Sequence, residues 1–95
     1  MAEVQREKRT PCRIDLKFAV SETGILFTGL AGNHSPRGLC FESVHSVPPG
    51  QSIHIRTERP LPNQIRCHIC GEVRWCQMRC DTADAVYRMG VKLTD

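Results

Sequence analysis

Ninety-five residues, 40% hydrophobic and 24% charged, have the composition of one ordinary globular domain with a modest core, not of a disordered chain. The net charge of +3 is too mild for a dedicated duplex-DNA binder, although Arg6, Lys8, Arg9 and Arg13 crowd the N-terminus against only Glu3 and Glu7. No apolar run reaches the ~18–20 residues of a membrane span, and no signal-peptide h-region follows the polar start. The expected location is the cytoplasm, where the six cysteines would be thiols or metal ligands and not disulfides.

Along the chain the apolar period is two. Ile14, Leu16, Phe18 and Val20 alternate with Arg13, Asp15, Lys17 and Ala19, the pattern of a half-buried strand. Residues 21–24 read as a turn and 25–30 as a second strand, after which Gly29 and Gly32 bracket a loop leading into Asn33. Leu39 and Phe41 begin a third strand after Gly38. Val47-Pro-Pro-Gly50 breaks the chain before Ile53, Ile55 and Thr57, which alternate with His54 and Arg56. A turn at 59–63 precedes a continuous alternation through Ile65, Cys67 and Ile69. Gly71 then leads into Val73 and Trp75, which share one apparent phase and read as core. Met89, Val91 and Leu93 close the chain on one face. No amphipathic helix of two turns is present; residues 81–86 make one short turn at most. Short strands with turns at such spacing predict an antiparallel barrel or sandwich.

Two polar signatures stand out: Arg9-Thr-Pro-Cys-Arg13 and Asn33-His-Ser35-Pro-Arg-Gly38. Alone, each has an ordinary explanation. A pair of arginines before a strand is usually a solvated edge, and Asn-x-Ser before a strand is usually a turn held by side-chain hydrogen bonds. Their order and separation, with the strands around them, resemble the Arg-x-x-x-Arg and (Asp/Asn)-x-Ser-x-x-Gly pair of PilZ domains, the bacterial receptors for cyclic di-GMP. The resemblance covers nearly the whole chain. A strand follows the arginines (Ile14-Asp-Leu-Lys-Phe18), and another follows Gly38 (Leu39-Cys-Phe-Glu). Pro48-Pro-Gly precedes an alternating strand, and Gly71-Glu-Val-Arg-Trp75 and Tyr87-Arg-Met-Gly-Val91 match the later strands of the family.

The resemblance implies an all-β fold, a small six-stranded antiparallel β-barrel of the split-barrel type, with the C-terminal helix of many relatives absent or very short. It implies a flexible basic arm over 1–8 and one barrel domain over 9–95. Cyclic di-GMP would bind on the outer surface. Arg9 and Arg13 would grip its phosphates and guanines, and Asn33, Ser35 and Gly38 would line the other side. Lys8, Arg37 and Arg74 are further candidate contacts, and Trp75 lies where the barrel surface could add one. Arginine suits this ligand because its planar fork donates bidentately to phosphate or to guanine O6 and N7, and its face stacks on a purine. Asn33 and Ser35 add neutral donors and acceptors, and Gly38 fits a backbone that approaches the ligand closely or takes positive φ.

Three features depart from the family pattern. His34 stands where an aliphatic residue is common, Pro36 stiffens the loop and removes one backbone donor, and Asn33 replaces the commoner Asp.

The competing signal is cysteine. Cys67-His-Ile-Cys70-Gly71 looks like a zinc knuckle, with Cys76 and Cys80 close behind. Strand alternation would send Cys67 and Cys70 to opposite faces, and the interval from Cys70 to Cys76 is shorter than the ~12–20 residues usual between zinc pairs. Packing is therefore the expected role of these cysteines, and no metal is expected; a zinc-stabilised interaction module using Cys67, Cys70, Cys76 and Cys80 is the alternative. The four histidines are scattered and read as surface residues. No Ser/His/Asp set or carboxylate pair points to an enzyme. The expectation is a non-enzymatic cyclic di-GMP receptor, monomer or homodimer. It would change its surface for an unidentified protein partner, bind no duplex DNA and insert in no membrane. A PilZ-like scaffold without ligand binding is the second alternative.

Overall fold

The computed structural model describes residues 10–20, 24–61, 64–79 and 86–94. Every regular element among them is a strand: β1 (Thr10–Val20), β2 (Phe27–Ser35), β3 (Gly38–Ser43), β4 (Ser52–Thr57), β5 (His68–Arg79) and β6 (Val86–Leu93). All neighbours are antiparallel, in the order β1-β2-β3-β6-β5-β4, and the pairing of β1 with β4 closes the barrel. Closure removes exposed sheet edges, which a chain of this size could not otherwise cover.

The period-two pattern becomes the inside and outside of this barrel. Leu16, Phe18, Leu39, Phe41, Ile53, Ile55, Val73, Met89 and Val91 fill the interior. Two residues from connecting segments, Val47 and Leu61, are as buried as the strand residues and join the same core. Phe18 is the hub, with ring centroids 5.0 Å from Phe41 and 5.6 Å from Phe27 in tilted contacts. Each fully buried large side chain contributes about 1.5–3 kcal/mol, and the tilted ring pairs add roughly 0.5–1.5 kcal/mol each.

Four local expectations are corrected. The second strand does not give way to a loop at Gly29 and Gly32; β2 runs on through Asn33 to Ser35, so both site residues are strand residues. The alternation from Ile65 is not strand: β5 begins at His68, and Ile65 is 92% exposed. His34 is not on the surface but 3% exposed. Trp75 is not core, for a reason set out below. Residues 81–85 of the short turn expected over 81–86 lie outside the described residues, while Val86 opens β6.

Candidate functional site

The hairpin joining β2 and β3 carries Asn33, Ser35, Arg37 and Gly38. Ser35 and Gly38 are paired, with Pro36 and Arg37 forming the turn between them. Ser, Pro and Gly at the first, second and fourth positions are the residues a tight turn prefers, since proline presets φ where no donor is needed. The Leu93 N–H donates to the Arg37 carbonyl at 2.8 Å, which ties the hairpin tip to the end of β6. Arg37 itself is exposed. The positive-φ glycines among the described residues are Gly24 and Gly50, so Gly38 is extended backbone and buried in the sheet.

Register shifts surround this hairpin. Pro11 pairs with Asn33 and Ile14 with Ala31, so Cys12 and Arg13 together oppose Gly32. On the other side Ala31 pairs with Phe41 and Asn33 with Cys40, which makes Gly32 the extra residue of β2. A third shift falls on β5, where Val73 pairs with Val91 but Trp75 pairs with Gly90, leaving Arg74 extra. A bulge re-aims the side chains that follow it. Val73 is 0% exposed and faces the core; beyond the extra Arg74, Trp75 is 36% exposed and takes the outward phase.

Gly90 is what lets the indole settle there. A Cβ at Gly90 would collide with Nε1 and Cε2 of Trp75, so the ring lies directly over the Gly90 backbone. Following the pairings sideways gives one row of neighbours across the outer face: Pro11, Asn33, Cys40, Gly90 and Trp75. The next row carries Ser35, Gly38, Lys92 and Glu72. Asn33, Ser35 and Gly38 thus share one face with Trp75. Arg13 borders it through the β1 bulge, and Arg74 borders it through the β5 bulge.

The charges around this face differ in freedom. Arg74 sits 3.1 Å from Glu72, with both side chains well exposed, so screening keeps the pair weak. One step down the barrel, Glu42 receives Arg79 at 2.8 Å and Arg88 at 3.2 Å. Arg13 is exposed and makes no ion pair with a described residue. It lines a cleft of about 320 Å³ with Ile14, Asp15, Glu58 and Arg59. A neighbouring cleft of about 310 Å³, lined by Asp15, Lys17, Thr28, Arg56 and Glu58 among others, follows β1 away from the Trp75 face. Cys12, between the two arginines of the motif, has its thiol pushed above the ordinary value of 9.0 by burial, so it is not an activated thiolate.

Of the sequence candidates, Arg13, Asn33, Ser35, Arg37, Gly38 and Arg74 are placed around one end and one face of the barrel. Lys8 and Arg9 lie outside the described residues, as does Cys80. Among the described residues no three His, Cys, Asp or Glu side chains converge as a metal would need. Trp75 was the residue that alternation misplaced. Its signal was weak, a break in the period-two pattern across Arg74-Trp75-Cys76.

A family model described as PilZ domain matches residues 3–95. The chain belongs to the PilZ domain family. These are binding domains of the cyclic di-GMP receptor class. Comparison with curated proteins finds no match. Among solved structures, the Bacillus subtilis inhibitor of motility, MotI/DgrA, superposes with a TM-score of 0.69 at 17% identity. The superposition covers 99% of this chain and 44% of the other, so the chain spans less than half of that protein's length. At this identity the likeness is one of fold. His34 pairs with Leu39, which is 0% exposed, and the imidazole takes a buried place where a hydrocarbon would fit. Its Nε2 finds no hydrogen-bond partner among the described residues, which costs about 1–3 kcal/mol. No helix is long and apolar enough to cross a membrane among the described residues.

Proposed function

We propose that this PilZ domain is a non-enzymatic cyclic di-GMP receptor, with Arg9 and Arg13 as the principal anchors and Asn33, Ser35 and Gly38 as the opposing wall. Arg37, Arg74 and Lys8 are secondary contacts. The observation that carries the reading is the alignment of Asn33 with Trp75 in one outer row, bordered by the bulge that presents Arg13. Arginine forks take the phosphates and guanine Hoogsteen edges, Asn33 and Ser35 meet a base edge or phosphate oxygen, and the indole offers an apolar plane for a purine. A deep pocket is not required. Micromolar affinity needs about 8 kcal/mol, and each charge-assisted hydrogen bond supplies roughly 1.5–3 kcal/mol.

Thr10 pairs with His34 beside Ser35, and Arg9 is the residue before Thr10 in the chain. Residues 1–8 form the arm and 9–95 the barrel in this reading. Ligand orders the arm against the barrel, and the altered surface is what a protein partner in the cytoplasm reads. Part of the binding energy goes into that ordering.

Calorimetric titration with cyclic di-GMP tests the proposal. Wild type should bind in the micromolar range, and Arg9→Ala and Arg13→Ala should each weaken binding roughly 10- to 150-fold, one lost charge-assisted contact apiece. A folded wild type that gives no heat at high micromolar ligand sinks the receptor reading and leaves a scaffold that works by protein contact. Equal binding by all three proteins rejects the site and keeps the ligand.

A further inference from the structure

The outer face built by β1 and β4 carries four charges that make no contact within the barrel. Lys17 and Arg56 are direct partners across the β1–β4 ladder, and alternation with the buried Leu16, Phe18, Ile55 and Thr57 turns both outward. Like charges directly opposite one another on a sheet are destabilising. Two residues further along each chain stand two anions, Asp15 on β1 and Glu58 just past β4, and all four side chains border one cleft of about 310 Å³. All four residues are exposed, and none makes an ion pair with a described residue. Neighbouring strands lie ~4.7–4.9 Å apart and alternate residues of one strand ~6.6–6.8 Å apart. The face therefore presents a row of two cations beside a row of two anions. On the β2 side the rows end in the neutral Thr28 and Leu30, and on the β5 side His68, opposite Arg56, extends the basic row.

We propose that this face docks a second copy of this chain through reciprocal ion pairs between the two rows. When two identical faces meet, the two-fold axis lies in the plane between them. Laid across the strands midway between the rows, that axis exchanges them. Lys17 of one copy then meets Asp15 of the second copy, Arg56 meets Glu58, and both contacts recur in reverse. Two cations and two anions per copy give four ion pairs, with none of these charges left facing its like. An axis along the strands fails this condition, because it sets Lys17 against Arg56 of the second copy. An acidic peptide or a phosphate fails it too: either would satisfy Lys17 and Arg56 but lie beside Asp15 and Glu58. A second copy is the occupant whose charge matches the whole face. Exposed ion pairs are individually weak and screened by salt, so the association is reversible and falls with ionic strength. The face lies away from the row that joins Asn33 to Trp75, and the inference does not rest on the receptor reading.

The test is sedimentation equilibrium of the untagged chain under a reductant, at high protein concentration and at two salt levels. At ~0.01 M salt the Debye length is about 30 Å, and at ~1 M it is about 3 Å. The 10.7 kDa mass should double at the lower salt and return at the higher. Lys17→Glu with Arg56→Glu makes the face wholly anionic, and Asp15→Lys with Glu58→Lys makes it wholly cationic. Each double variant alone should keep the mass of one chain at low salt, and an equimolar mixture should form a one-to-one dimer. In wild type, a zero-length carbodiimide cross-link between isotopically labelled and unlabelled copies should join Lys17 to Asp15 or Glu58. A wild type that keeps the mass of one chain at low salt overturns the proposal. So do dimers of either double variant alone, a mixture that does not associate, or cross-links between copies that fall only on other residues. All four side chains are exposed, so the core should tolerate the changes. Should a double variant fail to fold, Lys17→Glu and Asp15→Lys carry the same test, each weakening self-association and the mixture restoring it.

Discussion

The two sides of this barrel are built differently. Where β4 pairs with β1 and β5, the register runs without a shift, and burial along β4 alternates perfectly. Around β2, and where β5 meets β6, three shifts occur, at Cys12–Arg13, Gly32 and Arg74. All three adjoin the outer row that joins Asn33 to Trp75. The regular side is what a closed sheet does by default. The bulged side spends ladder regularity to aim an arginine, an amide and an indole at neighbouring positions, as bulges do near binding sites.

This contrast can be broken by mutation. The largest effect belongs to the regular side: Ile55→Ala, at a site 1% exposed, should cost about 2–5 kcal/mol in urea unfolding. The protein that remains folded should bind cyclic di-GMP as wild type does. A strong loss of affinity there would mean that the two sides are not separable. Next comes Gly90→Ala, which drives a methyl into the Trp75 ring and should cost roughly 1–3 kcal/mol. Trp75 is the sole tryptophan, so its emission should shift with the substitution, and pairing it with Trp75→Ala should recover part of the stability. Unchanged emission in Gly90→Ala would place the indole elsewhere.

Smaller effects sharpen the same division. Arg74→Ala removes only an exposed ion pair and should change stability by no more than about 1 kcal/mol, while lowering ligand affinity measurably. An unchanged dissociation constant would remove Arg74 from the site. The least effect is that of Cys12. Its pKa is raised in the folded state, so the stability it contributes is complete below the ordinary value of 9.0 and is lost as pH rises above it. Urea midpoints at pH 8 and pH 10 should fall more steeply for wild type than for Cys12→Ser; parallel slopes would argue against burial of this thiol.

Legibility followed the same line. The inward residues Leu16, Phe18, Ile53, Ile55, Met89 and Val91 were readable from period two, because an unbroken strand keeps its phase. Trp75 was misread because one extra residue inverts phase, and a bulge is a property of two strands together. Gly29 and Gly32 looked like loop brackets, since glycine weakens a strand on its own; pairing on both sides of β2 holds the strand together regardless. Histidine at position 34 looked like surface because its polarity outweighs one position of alternation. Cys70 looked like part of a local knuckle, whereas its contact is with a strand that no spacing rule connects to it.

By itself the sequence determined an all-β chain of short period-two strands, a barrel or sandwich, with an arginine pair ahead of the first strand and an Asn-x-Ser-x-x-Gly segment ahead of a later one, in the order that resembles PilZ domains. Those are local properties, set by alternation and turn chemistry. Only the tertiary structure decided which residues share a face. Asn33 and Trp75 are brought into one row, and His54 to Cys70, by ladder register, which depends on where each bulge falls and on how the barrel closes.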